Sequence, residues 1–582
     1  MKSRNRSEIL FYLSLVFISL LFFWLPAGTG YVLFDDSWTY IEFLQLKNVE
    51  GVMPLYPLFL FANRIIWGKD FYLQAVVAEQ TLVAVFCVLY FISKIKKHFQ
   101  LCYKECYLLF LASLIPFTTD YPLSMVVQDI LTEGLSYALF YVLVVLLMDA
   151  VWERSFGKLT GAFFFTVLLA LLRSQLQILF AVCGAVAAYF ICVKFSHRTK
   201  GVLVLKMFAG LILWTGIMGI GVIGVIRING ASQRIMFGEG KAARYIAEHS
   251  RDMRPESGDT PEEQNETEEE GNAVPVEIQD SLGEVGTGIQ ENIGEASDET
   301  AVDLGEISAE GQMDMAEDRP APNTAPEVLE FLSAGYEESG VSVSQYSSMI
   351  FSKAMYEADY EDYLLFEEEE LQKQFLYVYE IVDELEYRYP YAEAGLWGWK
   401  HISDSVGAIG KHCFDGLNRY FGDYYNTTIV YFQYRCTAQA FSVIGVKVLM
   451  NHLGSFVWHT VRLMVPAFVF TVFFQKEQFY LLCHLITLFL YVTAIGLTIW
   501  SFASKKANRK CAEFMLLVLA NNMIMVTAIS LVFIGLQRYL VYAFGIFYVA
   551  YYLLLSEVYK CYFAGRGRAR SVRAGEEDPD AF

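Results

Sequence analysis

Long apolar runs separated by short charged connections dominate both ends of the chain. Ile9 to Gly28 is a charge-free run of 20 residues behind Lys2, Arg4 and Arg6. Further runs fall near 71–93, 107–119, 130–148, 159–172, 175–193, 207–226, 478–500, 513–535 and 539–555. About 20 apolar residues in a helix cross the hydrocarbon of a bilayer, and a helix satisfies its own backbone there. The pattern therefore predicts ten membrane-spanning helices. The first run ends in bulky FFWLP instead of the small residues of a cleavage site, so a retained span is expected. The stretch 159–193 is interrupted only by Arg173 and has basic flanks at both ends, which predicts two helices turning back at Arg173. Residues 455–474 are apolar enough to span, but His459, Arg462 and Pro466 interrupt them. An interfacial or re-entrant helix is expected there, with an eleven-span topology as the alternative.

Every second connection is basic: Lys94, Lys96, Lys97 and Lys104, then Arg154 and Lys158, then Lys194, Arg198 and Lys200, then Lys505, Lys506, Arg509 and Lys510. The positive-inside rule places these and the N-terminus in the cytoplasm. The loop 29–70 and the segment from 227 to about 454 are then extracytoplasmic, in a multi-pass plasma-membrane protein. The expected fold class is an all-α polytopic membrane protein of about 10–11 transmembrane helices with an external helical domain.

Composition changes this picture in one place. The 582 residues carry a formal charge of -20. Residues 251–320 hold 22 Asp and Glu against Arg251, Arg254 and Arg319, so the rest of the chain is nearly neutral. That segment has too little large apolar content to offset its ordering entropy and is expected to be disordered. Residues 326–440 regain aromatic and apolar positions at helical spacing, as in FLYVYEIVDELEYRYPY. The expected organisation is an N-terminal transmembrane module (1–230) containing the external loop 29–70, an acidic insertion (231–325), a small helical external domain (326–440), and an interfacial helix with a C-terminal transmembrane module (441–582). Of the ten cysteines only Cys413 and Cys436 fall in the external domain, which leaves one disulfide open. No CxxC or Cys/His spacing argues for zinc. The sequons at Asn265 and Asn426 matter only if the outside is a secretory lumen.

Ionisable residues at the edges of apolar spans are costly and mark candidate sites. Asp35 and Asp36 follow the first span, Glu79 lies in the second, Asp129 and Glu133 begin the fourth, Arg173 ends the fifth, and Arg538 with Tyr539 begins the last. All belong to the outer leaflet in the expected topology. Carboxylates and arginines gathered there suit chemistry on a lipid-linked phosphate, because guanidinium groups bind phosphate bidentately. A carboxylate at a dehydrated edge can act as a general base on an acceptor hydroxyl. The chain has no P-loop, no GxGxxG after a strand and no HExxH. Each residue also has a plainer reading. Asp35 and Asp36 could cap a surface helix, Arg173 could snorkel, Arg538-Tyr539 could anchor at the interface, and Glu79 could bond a neighbouring helix.

The ordered segments FDDSWTYIEF, MPLYPLF, DILTEGLSYALF, LLALLRSQL and LQRYLVYAFGIFY resemble the GT-C superfamily of glycosyltransferases, especially bacterial members of the protein mannosyltransferase and aminoarabinose transferase type. The family's Asp-x-x-x-Tyr element is met by Asp36 and Tyr40, and its P-x-Y-P element by Pro54, Tyr56 and Pro57. The family's second acidic residue is Ser37 here, with Asp35 in front. The resemblance spans residues 1 to about 230 and 440–560. It implies a GT-C-like bundle and transfer of a sugar from a polyprenyl-phosphate donor to an acceptor hydroxyl of a glycan, lipid or protein outside the membrane, with inversion. Asp36, or Asp35, would be the base. Arg173 and Arg538, with Tyr539, would hold the donor phosphate. Glu133 and Asp129 would help bind substrate, with Trp38, Tyr40 and Tyr56 as aromatic surfaces and Glu79 nearby. No cofactor is required; a divalent cation could sit between Asp35, Asp36 and Glu133. A lipid-linked saccharide transporter or flippase, or a non-catalytic envelope scaffold, are the competing functions.

Overall fold

The computed structural model describes residues 2–27, 30–46, 52–118, 125–194, 200–237, 241, 244–246, 350–387, 398–424, 430–473, 479–504, 507–532 and 537–564. The acidic segment 251–320 and both sequons lie outside them. The described residues are helical with no strand, which makes this an all-α polytopic membrane protein. Nine helices among them are long and apolar enough to cross a membrane.

The chain divides into two compact units. The first contains α1 (Lys2–Ala27), α2 (Asp35–Leu46), α3 (Leu55–Trp67), α4 (Tyr72–Phe99), α5 (Tyr103–Leu114), α6 (Glu133–Trp152), α7 (Phe156–Leu172), α8 (Leu179–Lys194) and α9 (Lys200–Phe237). At its centre is α6, which packs against α4, α7 and α8. Its apolar window is 78% buried, against 17% for that of α9, so α6 is lined by protein all round while α9 faces lipid. As the reading of 159–193 expects, the chain reverses at Arg173. That residue caps α7 in an extended conformation, the 3₁₀ turn Ser174–Ile178 follows, and Thr166 on α7 meets Cys183 on α8 at 3.1 Å. The run near 107–119 gives only the twelve-residue α5 and a 3₁₀ turn, because Pro116 removes a backbone donor there.

The second unit, Glu284–Phe468 with Val526–Leu536, has its described core in α10 (Phe351–Glu357), α11 (Glu369–Glu384), α12 (Gly398–Tyr424), α13 (Val430–Asn451) and most of α14 (Leu453–Phe470). Phe351, Met355, Phe375, Val378, Leu417, Phe421 and Ile444 fill it. Cys413 and Cys436 are buried free thiols, so no disulfide links them. Residues 441–468 belong to this unit and not with the C-terminal spans.

The helix expected at 455–474 forms as Leu453–Phe470, followed by a turn. Helix α14 runs unbroken through His459, Arg462 and Pro466 and is long and apolar enough to span. Its two faces explain why: Val457, Trp458, Val461 and Val465 are exposed, whereas His459 and Thr460 point inward, where Glu357 pairs with His459 and the Lys353 ammonium donates to Thr460 Oγ1. A polar residue inside an apolar helix is tolerated when a distant segment supplies its hydrogen-bond partner.

The first unit is completed by α15 (Tyr480–Ala503), the start of α16 (Arg509–Val532), the short α17 (Gln537–Leu540) and α18 (Phe544–Tyr559). A 3₁₀ turn, Val541–Ala543, joins the last two. Helix α18 lies close on α5 because Gly545 carries no side chain; a Cβ there would stand 2.7 Å from the Ala112 carbonyl oxygen.

Candidate functional site

The connection between α1 and α2 is tied to the loop that leads into α6. Val32 N–H donates to Gln128 O at 3.0 Å, and Ile130 N–H donates to Val32 O at 3.0 Å. Gln80, fully buried on α4, donates through Nε2 to Val127 O (2.9 Å) and Asp129 O (3.1 Å) and accepts the Tyr56 hydroxyl at 3.2 Å. Gln80 passes over Gly134, where a Cβ would stand 2.7 Å from its Cδ. At the start of α2, Ser37 Oγ accepts the Phe34 N–H at 2.9 Å, half of a capping box. Ser37 thus fixes the helix end. These bonds set Asp36 and Glu133, 97 positions apart, in one neighbourhood.

Four charges meet there. Arg173 Nη1 lies 2.5 Å from Glu133 Oε1, and both side chains are buried, at 8% and 6% exposure. Arg538 Nη1 donates to Asp36 Oδ2 at 3.0 Å in a more open pair, with Arg538 24% and Asp36 52% exposed. Both guanidinium groups lie against the ring of Tyr539, at 5.0 Å for Arg173 and 5.1 Å for Arg538. Cation–π attraction of about 0.5–2 kcal/mol per pair helps hold two like charges close together. Arg538 Nη2 also donates to the Tyr539 hydroxyl at 3.1 Å. Two positive and two negative groups leave the cluster near neutrality, which permits its burial.

Around the charges stands a hydroxyl and amide set that sequence reading did not single out. The Tyr542 hydroxyl bonds Ser136 Oγ at 2.9 Å and receives Arg173 Nη1 at 3.4 Å. The Tyr137 hydroxyl donates to Arg538 O at 2.7 Å, and Gln175 Oε1 accepts Arg173 Nε at 2.7 Å. Thr132 donates to Glu133 Oε2 at 3.0 Å. The signal was present in the repeated tyrosines of RYLVY and in the i+3 and i+4 positions after Glu133, which share its helix face.

Of the predicted residues, Asp36, Glu133, Arg173, Arg538 and Tyr539 come together. Tyr40 joins them. Burial first, then the Glu133 and Asp36 carboxylates acting against Arg173, push its hydroxyl up to about 12, so at neutral pH it is a hydrogen-bond donor and not a phenolate. Tyr56 is fully buried and meets Tyr40 edge-on at 5.2 Å, so it supports Tyr40 and offers no surface to a sugar. Trp38 is half-buried in the apolar cluster beneath α2 and α3. Asp129 is buried, and its carbonyl is held by Gln80. Glu79 accepts Asn63 Nδ2 at 3.1 Å, the neighbouring-helix bond of its plainer reading. The Asp35 side chain lies outside the described residues.

In the expected cation site, Asp36 and Glu133 each face an arginine instead of each other. Among the described residues the group with metal-ligand spacing is His98, Asp149 and Glu153, near the other end of α6. It is a weak candidate, because Lys94 and Lys158 lie 2.8 and 2.9 Å from Asp149 Oδ2 and their charges oppose a metal ion. Glu133 and Asp149 stand 16 residues apart on α6, about 24 Å at 1.5 Å per residue, so the two clusters mark opposite ends of the span. Comparison with protein-family models, with curated proteins and with solved structures returns no match.

Proposed function

We propose that this protein is a membrane glycosyltransferase that takes a sugar from a polyprenyl-phosphate donor and attaches it to an acceptor hydroxyl on the external side of the plasma membrane. The observation that carries the reading is the convergence of Asp36, Glu133, Arg173 and Arg538 from four distant segments around Tyr539. In the reaction, the acceptor oxygen forms a bond to the anomeric carbon as its proton passes to Asp36. The bond from that carbon to the phosphate oxygen breaks on the opposite face, inverting the centre. The polyprenyl phosphate leaves with its new charge held by Arg173 and Arg538, whose positions are fixed before the reaction by Glu133 and Tyr539. Tyr40 supplies a neutral hydroxyl donor for sugar or phosphate oxygens, while the buried Tyr542 helps to fix Arg173.

The division of burial supports the division of labour. Asp36 is half-exposed and can meet an acceptor, whereas Glu133 is sealed against Arg173 and acts by placing it. The test is transfer from a panel of polyprenyl-phosphate sugars by reconstituted protein. Asp36→Asn should lower transfer by about 10²–10⁴-fold, the usual worth of a general base. It should change the unfolding midpoint little, because a half-exposed ion pair contributes about 0–1 kcal/mol. Undiminished transfer by the variant removes Asp36 from the mechanism. Donor binding without turnover by the wild type favours the transporter reading.

A further inference from the structure

Helices α6, α8 and α16 do not close on one another at the end of the first unit away from the charge cluster. They leave a cleft of about 210 Å³ lined by apolar side chains, among them Met148, Val151, Val186 and Phe514. At about 30 Å³ per water the space is too large to be a packing defect, and its walls offer water few partners. A separate apolar void of about 10 Å³, too small for more than a single water, lies on the far side of Val182 and Leu517. Along α8 the cleft runs from Val182 to Tyr189 and along α16 from Glu513 to Ala520, about 10 Å at 1.5 Å per residue, room for part of a fatty-acyl chain.

One end of the cleft carries polar groups. Trp152 and Glu513 line it, and the Lys510 ammonium sits 5.5 Å from the Trp152 ring centroid. Glu513 is neutralised by Arg509 Nε at 3.2 Å and by the Tyr189 hydroxyl at 2.9 Å. Lys94 and Lys158 flank the same end and are matched by Asp149, with Glu153 also on Lys158. Lys510 has no carboxylate partner among the ion pairs of the described residues, so its charge is open to an incoming anion. An apolar cleft that lies beside a cation and a tryptophan matches one ligand class.

We propose that this cleft binds an anionic glycerophospholipid of the cytoplasmic leaflet, with part of one acyl chain in it and the phosphate at Lys510. The inference does not depend on glycosyl transfer. The probes are dioleoyl phosphatidylglycerol and dioleoyl phosphatidylcholine, added to delipidated full-length protein and counted as retained adducts by native mass spectrometry. Wild type should retain one phosphatidylglycerol in preference to phosphatidylcholine. Lys510→Gln should weaken phosphatidylglycerol retention about fivefold, the value of one cation near an anionic headgroup, and leave phosphatidylcholine unchanged. Ala185→Trp, which fills the cleft wall, should abolish retention. A second measurement needs no folding of a crowded variant: brominated-chain phosphatidylglycerol should quench a component of fluorescence that Trp152→Phe removes. Equal retention of the two lipids by wild type, or quenching unchanged in Trp152→Phe, overturns the proposal.

Discussion

Glu133 in the first turn of α6 and Arg173 at the C-cap of α7 form an ion pair 2.5 Å apart that is almost wholly buried. Removing one partner strands the other charge in a low-dielectric setting, which costs about 3–5 kcal/mol, while removing both is far milder. Glu133→Gln and Arg173→Met should therefore each lower the unfolding midpoint in detergent by more than the double variant does. A double-mutant cycle isolates the coupling. Single variants as stable as wild type would mean that the pair is solvated after all.

The polytopic class was legible because apolar runs of bilayer length carry their meaning locally, as in Ile9 to Gly28. The reversal at Arg173 was legible for the same reason, since one charge between two basic flanks admits few arrangements. The nature of 455–474 was not. Its sequence shows His459 and Arg462, but the groups that accommodate the inward face come from residues 353 and 357, about a hundred positions away. Tyr56 misled in the opposite direction. A tyrosine between two prolines of the external loop was expected to offer an aromatic surface, yet Gln80 on α4 takes its hydroxyl and holds the ring inside. Pairing of that range has no period for a sequence to display.

Gly134 offers a test in which two effects carry opposite signs. On propensity alone, alanine within α6 should stabilise by about 1 kcal/mol. The added Cβ would instead meet the Gln80 amide at 2.7–2.8 Å and displace the bonds to Val127 O and Asp129 O. Overpacking costs about 1–3 kcal/mol, and an unsatisfied buried carbonyl adds a similar amount. Gly134→Ala should be net destabilising, and hydrogen exchange should quicken in residues 125–132. A rise in stability would show that Gln80 yields freely and does not hold the loop.

Sidedness follows from helix direction once one end is assigned. Asp36 and Arg538 are in contact, so they must be on one side, while Arg509 and Lys510 begin the span that precedes Arg538. Single cysteines at Asn48 and Gly68 should react with an impermeant maleimide in whole cells, and one at Ala507 only after lysis. Labelling of Ala507→Cys in intact cells would invert the topology and place the proposed chemistry in the cytoplasm.

Lys353 gives the second unit a pH dependence with a definite sign. Its ammonium nitrogen is buried on α10, 2.7 Å from Thr460 Oγ1, 2.6 Å from Ser530 O and 3.3 Å from Leu531 O, and 4.4 Å from the Phe456 ring centroid. Burial pushes its pKa down to about 7, and a neutral amine keeps two N–H donors for the two short contacts. The other titratable or charged groups in its surroundings are Glu357 on its own helix, and His459 and Arg462 on α14. Between about 7 and the ordinary lysine value near 10.5 the unfolded chain binds more protons than the folded one. Stability should therefore rise with pH through that window, by up to about 1.4 kcal/mol per unit, and level off below pH 7. Lys353→Met removes the proton and should flatten the slope in unfolding midpoints measured from pH 7 to 10. A slope equal in wild type and variant would assign the dependence to other groups and leave Lys353 charged in the fold.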